Sequence, residues 1–496
     1  MPVERFILTI DQSTSGTKGL LVNDQGRIVA KHWQAHQQIY PQPGWVEHDP
    51  EEIYASVLAV AKQLIQNSGV KPGSIVGLSI TNQRETVVVW NKVTGAPVYN
   101  AIVWQCMRGD QICAGLRDAG YEEEVRRRTG LVIDPYFSAS KVQWILEHVD
   151  SAKANQEQLL FGTIDSWLIW KMTDGAVHAT DYSNASRTML YNIQELKWDP
   201  FLFDLFKIPI AMAPEVHSSN ARFGTTDLGG LLPEPIPVCG VIGDSQAALF
   251  GQGCTTSGAA KVTYGTGSSI VLNIGREYQL PPPGIVTSLA WGIDSTVDYI
   301  FEGNVHCTGK TIDWIVNTLG LIPDAAGSDA VARSAADNGG VYLVPAFVGL
   351  GAPYWNNDVQ AAIFGLTFNT TKAHIVRAGL ESIAYQIYDV LSCMQQTNYL
   401  QSVKADGGAS QNSFLMQFQA DILQLPVATL SYGELSALGA SYLGGLGLGY
   451  WQSLNEISAL QSAPKFYRPQ MPLDERNRML KGWKEAVGML VGGKED

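Results

Sequence analysis

Asp11-Gln12-Ser13-Thr14-Ser15-Gly16-Thr17-Lys18 separates the apolar run Phe6-Ile7-Leu8-Thr9-Ile10 from Gly19-Leu20-Leu21-Val22. Two apolar runs joined by a stretch rich in hydroxyls predict a β-hairpin with its polar residues at the tip. Backbone N–H groups and hydroxyls at such a tip can surround phosphate oxygens, and Lys18 can neutralise their charge. Asp11 would leave the strand end pointing at the same place, where an acid makes sense only with a divalent cation between it and the phosphates. Taken alone, this stretch is better explained as an ordinary polar hairpin. A second such turn, Tyr264-Gly265-Thr266-Gly267-Ser268-Ser269, follows the β-like Ala260-Lys261-Val262-Thr263-Tyr264, and a third is Asp406-Gly407-Gly408-Ala409-Ser410-Gln411-Asn412. Together the three read as one nucleotide site split between two lobes. No G-x-x-x-x-G-K-[ST] sequence is present, so a P-loop is excluded.

A chain of 496 residues exceeds the size at which single cores stop growing, so two domains are expected, 1–250 and 251–496. Strand-like runs such as Ile75-Val76-Gly77-Leu78-Ser79-Ile80 alternate with helical ones, which indicates an α/β class. Residues 51–65 carry apolar side chains at helical spacing after Asp49-Pro50, a good cap and first-turn pair. The net charge of −13 argues against a nucleic-acid or anionic-membrane surface. ATP is itself an anion, so its site must be made favourable locally by Mg²⁺ and backbone donors. The six cysteines show neither C-x-x-C nor metal-finger spacing and read as reduced core thiols of a cytoplasmic protein. The first residues are too poor in apolar character for a signal peptide. The glycine-rich stretch 437–451 is shorter than the ~20 apolar residues of a membrane span and suits close helix packing.

Longer segments carry a more specific signal. Pro43-Gly44-Trp45-Val46-Glu47-His48-Asp49-Pro50, Thr81-Asn82-Gln83-Arg84-Glu85-Thr86, Tyr99-Asn100-Ala101-Ile102-Val103-Trp104-Gln105-Cys106 and Thr129-Gly130-Leu131-Val132-Ile133-Asp134-Pro135-Tyr136-Phe137-Ser138 resemble the FGGY carbohydrate kinases, within them the glycerol kinases most closely. The resemblance spans nearly the whole chain. It implies two ribonuclease-H-like domains of the actin, sugar-kinase and heat-shock-ATPase superfamily around a cleft, ATP as phosphoryl donor, a small polyol or sugar as acceptor, and a homo-oligomer. A non-catalytic ATP-dependent sensor or chaperone of that superfamily is the rival reading. It would need an added DNA-binding or peptide-binding domain, and the kinase-like segments consume the chain.

By that resemblance, Asp244 matches the general base that takes the acceptor proton, although it could also cap the helix after it. Arg84 and Glu85 match the pair that holds polyol hydroxyls, Trp104 an apolar platform and Tyr136 a phenolic partner. Thr14, Ser15, Gly16, Lys18, Gly265 and Thr266 fall on the phosphate side. Gly309, Asp313, Gly408 and Asn412 fall on the adenosine side, and Asp11 on the metal.

The departures from the glycerol kinase pattern cluster where substrate identity is set. Ser245 stands in place of glutamine and Ser269 in place of phenylalanine, and Asn304 and His306 replace apolar residues. A wider, more polar pocket is therefore expected, with a four- or five-carbon polyol or ketose slightly favoured over glycerol. Asp313 in place of glutamine leaves purine selection open. Pro235, in place of an arginine, implies that feedback by fructose bisphosphate is absent.

Overall fold

The computed structural model describes residues 4–430, 433–461 and 463–492. Its first large sheet runs in the order Arg222–Thr226, Ile236–Gly243, Ile75–Asn82, Phe6–Gln12, Gly16–Asn23, Ile28–Ala35. The hairpin expected at the start of the chain is its centre: Phe6–Gln12 pairs antiparallel with Gly16–Asn23 and parallel with Ile75–Asn82, which pairs parallel with Ile236–Gly243. These strands are near-continuous apolar runs because helices cover both faces of the sheet. Pro50–Asn67 buries Ile53, Val57, Val60, Ala61 and Leu64 against one face. Its cap is the expected one, with the Asp49 carboxylate accepting from the Glu51 amide at 2.8 Å and Pro50 opening the first turn.

The second sheet has the order Val286–Ile293, Thr296–Val305, Ser268–Gly275, Ala259–Tyr264, Ser402–Asp406, Val427–Thr429, Lys465–Tyr467. Here too an antiparallel set, containing the second turn, is continued by parallel strands. Both sheets thus share one ribonuclease-H-like plan, three antiparallel strands followed by two parallel ones, to which the second sheet adds Val286–Ile293 at its antiparallel edge. Helices Lys372–Met394 and Ser413–Leu423 cover the second sheet and form its core with Trp483.

The glycine-rich stretch forms helix Leu435–Gly447, and the chain returns with it to the first sheet. The Ser441 hydroxyl bonds Thr9 at 2.5 Å, and Leu443 and Tyr442 join Ile7, Leu20 and Val22 in one apolar cluster. A Cβ on Gly439 would stand 1.9 Å from the Ala247 carbonyl oxygen and one on Gly444 2.0 Å from the Ser79 hydroxyl. The glycines therefore set how closely this helix can approach helix Asp244–Gly251 and the sheet. All six cysteines are free, five of them buried. Among the described residues no helix is long and apolar enough to cross a membrane.

Candidate active site

Parallel pairing brings the chemistry together. With Asp11 opposite Thr81 and Gly243 opposite Asn82, three strands of the first sheet end level, and their carboxyl ends deliver Asp11, Arg84 with Glu85, and Asp244 to one edge. In the second sheet Thr263 lies opposite Asp406, so the second and third turns emerge side by side. Such carboxyl edges are where open α/β sheets bind ligands.

A cavity of about 470 Å³ gathers all seven residues expected to meet the acceptor: Arg84, Glu85, Trp104, Tyr136, Asp244, Ser245 and Ser269. The Trp104 and Tyr136 rings meet edge to face with centroids 5.4 Å apart, and the Trp104 indole N–H donates to the Thr14 hydroxyl at 2.9 Å. Arg84 and Glu85 make only a long ion pair with each other, Nε to Oε1 at 3.9 Å. Arg84 donates through both terminal nitrogens to Glu302, at 2.9 and 2.8 Å, and to Gln246 at 3.0 Å. Its Nε lies 3.1 Å from Asp244 Oδ1 but off the line of a hydrogen bond, which leaves that N–H uncommitted. Glu85 accepts from Arg187 Nε at 2.5 Å, and Arg187 also reaches Glu302 at 3.2 Å. Burial would raise the Glu302 carboxyl, yet Arg187 and Arg84 hold it down to about 2. Burial raises Glu85 above its ordinary value despite the two arginines.

Backbone strain marks the same place. Glu85 has φ of 63°, a left-handed conformation costly for a residue with a Cβ, and its carbonyl is pinned by the Ser138 hydroxyl at 3.0 Å. Trp355 (φ 45°), which lines this cavity, and Glu434 (φ 68°), which lines the next, share that conformation.

Asp244, Ser245, Thr263 and Ser269 also line a second cleft of about 570 Å³, with Asp11, Lys18, Lys261, Asp406, Gly408 and Glu434 on its other walls. Asp244 opens helix Asp244–Gly251, its Oδ1 accepting from the Ser245 amide at 2.7 Å and its side chain 40% exposed. Burial pushes the Asp11 carboxyl up to about 7; Lys18 opposes this, while Asp244 and Glu434 add to it. Lys18, expected to neutralise phosphate, is ion-paired with Glu434. Gly408 leads on to a third cavity of about 500 Å³ that collects the other adenosine-side residues, Gly309, Asp313 and Asn412.

Four expected phosphate residues line none of these cavities. Ser15 is exposed at the hairpin tip. Gly16 is required by the close approach of strand Ile28–Ala35, since a Cβ there would stand 2.4 Å from the Gln34 carbonyl oxygen. Gly265 and Thr266 use their carbonyls to hold the amides of Gly309, Thr308 and Lys310 at 2.9–3.2 Å, which joins the second turn to the start of helix Gly309–Asp313. Thr14 sits on the acceptor cavity and not on the phosphate cleft. Sequence reasoning missed Lys261, Glu302, Arg187, Gln246, Trp355 and Glu434. A lysine and a glutamate inside otherwise apolar strands, at positions 261 and 302, were the available signal.

Comparison with known proteins agrees with this geometry. Residues 6–251 match the N-terminal domain of the FGGY family of carbohydrate kinases and residues 260–448 its C-terminal domain. The chain is similar to glycerol kinase 1 of Thermotoga maritima, 51% identical over 490 residues that cover 98% of this chain and 99% of that one. It is 48% identical to the glycerol kinase of Xanthomonas campestris over 493 residues, 99% of each. Among solved structures, Plasmodium falciparum glycerol kinase with ADP superposes with a TM-score of 0.93 at 33% identity, over 98% of both chains. A xylulose kinase from Lactobacillus acidophilus, at 23% identity and a TM-score of 0.87, shares the fold. The chain belongs to the FGGY family of carbohydrate kinases and is an ATP-dependent phosphotransferase of that family.

Proposed function

We propose that the enzyme is a glycerol kinase, transferring the γ-phosphoryl group of ATP to a primary hydroxyl of glycerol to give glycerol 3-phosphate. The observation that carries this is near-full-length identity of 48–51% to proteins named glycerol kinase, joined to a carboxylate, Asp244, that borders both the acceptor cavity and the nucleotide cleft. The expectation of a four- or five-carbon substrate yields to this reading. It rested on the small Ser245 and Ser269 and on the polar Asn304 and His306, but Trp355 lines the same cavity, so loss of bulk at two positions does not by itself widen it.

In the step proposed, Trp104 packs the carbon chain while Tyr136 and the uncommitted faces of Arg84 and Glu85 bind hydroxyls. The attacking hydroxyl gives its proton to Asp244 as its oxygen bonds the γ-phosphorus, and the bond to the bridging oxygen breaks, leaving its electron pair on ADP. Among the described residues no cluster of three ligating side chains forms a protein-only metal cage. Mg²⁺ needs none, because it is commonly held by one or two carboxylates together with phosphate oxygens. Asp11 fits that role: it lines the nucleotide cleft at the end of its strand, and burial together with the Asp244 and Glu434 carboxylates raises its pKa against the pull of Lys18, a cost that a bound cation would relieve. Mg²⁺ bound there with the nucleotide would neutralise charge on the β- and γ-phosphates.

We further propose that the two working lobes divide near residue 250. The test of function is ATP consumption over glycerol, tetritols, pentitols and ketopentoses, with and without Mg²⁺. Glycerol should give the highest kcat/KM; a tetritol, pentitol or ketose turned over better than glycerol overturns the assignment.

A further inference from the structure

Strand Ala259–Tyr264 alternates strictly, with Ala260, Val262 and Tyr264 facing the core of the second lobe and Lys261 and Thr263 facing the cleft.

 Lys261 is 2% exposed, and among the described residues no hydrogen bond or ion pair reaches its ammonium group. Its neighbour on the paired strand, Lys404, is by contrast held by the Gln252 carbonyl. Two lysines directly opposite on neighbouring strands repel, and a buried unpaired ammonium costs stability, so the fold gains nothing from Lys261. The groups that surround it electrostatically are those of the reaction centre: Asp406, Arg84, Glu302 and Asp244. On the neighbouring strand of the same sheet, Asp406, which lines the same cleft, likewise has its Oδ1 buried without a hydrogen-bond partner. Burial lowers the Lys261 pKa, so negative charge that arrives only with the substrate, beside the base and on the wall of this cleft, is what would favour its ammonium form.

The geometry points to Lys261 as a catalytic residue that donates to the non-bridging oxygens of the phosphoryl group as it passes from ATP to the acceptor. This rests on the kinase reading above and adds a group to it. The transfer is otherwise unchanged: the acceptor oxygen bonds phosphorus, its proton goes to Asp244, and ADP leaves with the electron pair. Lys261 keeps its protons throughout and is needed most when negative charge spreads over the oxygens in flight.

The test uses the full-length enzyme and whichever acceptor the wild type turns over best. A failure of the glycerol assignment therefore shows in the wild type, and a failure of this proposal shows only in the ratio of variant to wild type. Lys261→Met should lower kcat by roughly 10²–10³-fold, the loss typical of one donor to a developing oxyanion, with the acceptor KM little changed. Its thermal midpoint should equal or exceed that of the wild type, because an unpaired buried charge has been removed. ADP should still bind, but the tight complex of ADP, aluminium fluoride and acceptor, which mimics the phosphoryl group in transfer, should be lost. Lys261→Arg should recover part of the rate. The proposal is overturned if Lys261→Met turns over normally, fails to fold, or retains that complex. It is also overturned if adding Asp406→Asn restores activity, since Lys261 would then serve only as a counter-charge to Asp406.

Discussion

Asp244→Asn removes a proton acceptor while keeping the size of the side chain and its place at the start of helix Asp244–Gly251. ADP affinity should stay within a few-fold of the wild type, and kcat should fall by roughly 10²-fold or more. Steady-state kinetics beside direct ADP titration checks both, and near-normal turnover would remove Asp244 from the mechanism. Glu302 acts differently, because it neutralises two buried arginines at once. Glu302→Gln leaves Arg84 and Arg187 short of a counter-charge and should destabilise the protein by about 3–5 kcal/mol in denaturant titration. The sign of its pH dependence follows from a carboxyl held at about 2 against an ordinary 4.5. Its contribution is fully present above pH 4.5 and is lost as pH falls toward 2, so this part of the acid slope should be missing in the variant. Asp11 was singled out by its local strand-to-turn sequence, and Asp244 by the family resemblance. Glu302 and Lys261 were not, since their meaning comes from register and distance: Glu302 meets Arg84 across 218 residues, and no local pattern announces the pairing.

At the scale of elements, helix Leu435–Gly447 makes a sharp comparison possible. Gly439→Ala would drive a methyl group into the Ala247 carbonyl and force two helices apart, which should cost about 1–3 kcal/mol despite the better helix propensity of alanine. Gly488, in helix Leu473–Val491, has nothing within 4 Å of its missing Cβ, and Gly488→Ala should stabilise by about 0.5–1 kcal/mol. Thermal unfolding of both variants tests whether contact or propensity sets the sign; equal shifts would refute the packing argument. The sequence showed that these glycines suit close packing, as apolar residues with small ones between them do. It did not show the surface they meet, because that surface is assembled from helix Asp244–Gly251 and strands of the first sheet, all distant in the chain. Likewise the hairpin, the helix after Asp49 and the α/β alternation were readable from local patterns, whereas the order of strands in each sheet required pairings between distant segments.

For the whole molecule, the acceptor and nucleotide sides draw their walls from both sheets, and the Arg84–Glu302 and Lys18–Glu434 pairs join segments far apart in the chain. Ligands that bridge such walls favour a narrower cleft, which excludes water and limits wasteful ATP hydrolysis. Small-angle scattering with a non-hydrolysable ATP analogue, Mg²⁺ and glycerol should give a smaller radius of gyration than the free enzyme or either ligand alone. An unchanged radius in all states would contradict closure.

The return of helix Leu435–Gly447 to the first sheet also has a meaning in time. Strand Ile236–Gly243 leaves the ribosome about 200 residues before that helix does. At ordinary rates of synthesis the interval is roughly 10–40 s. For that interval one face of the first sheet, with Ile7, Leu20 and Val22, lacks the helix that finally covers it. The nascent chain must therefore carry an uncovered apolar surface while most of the second sheet and its helices are being made.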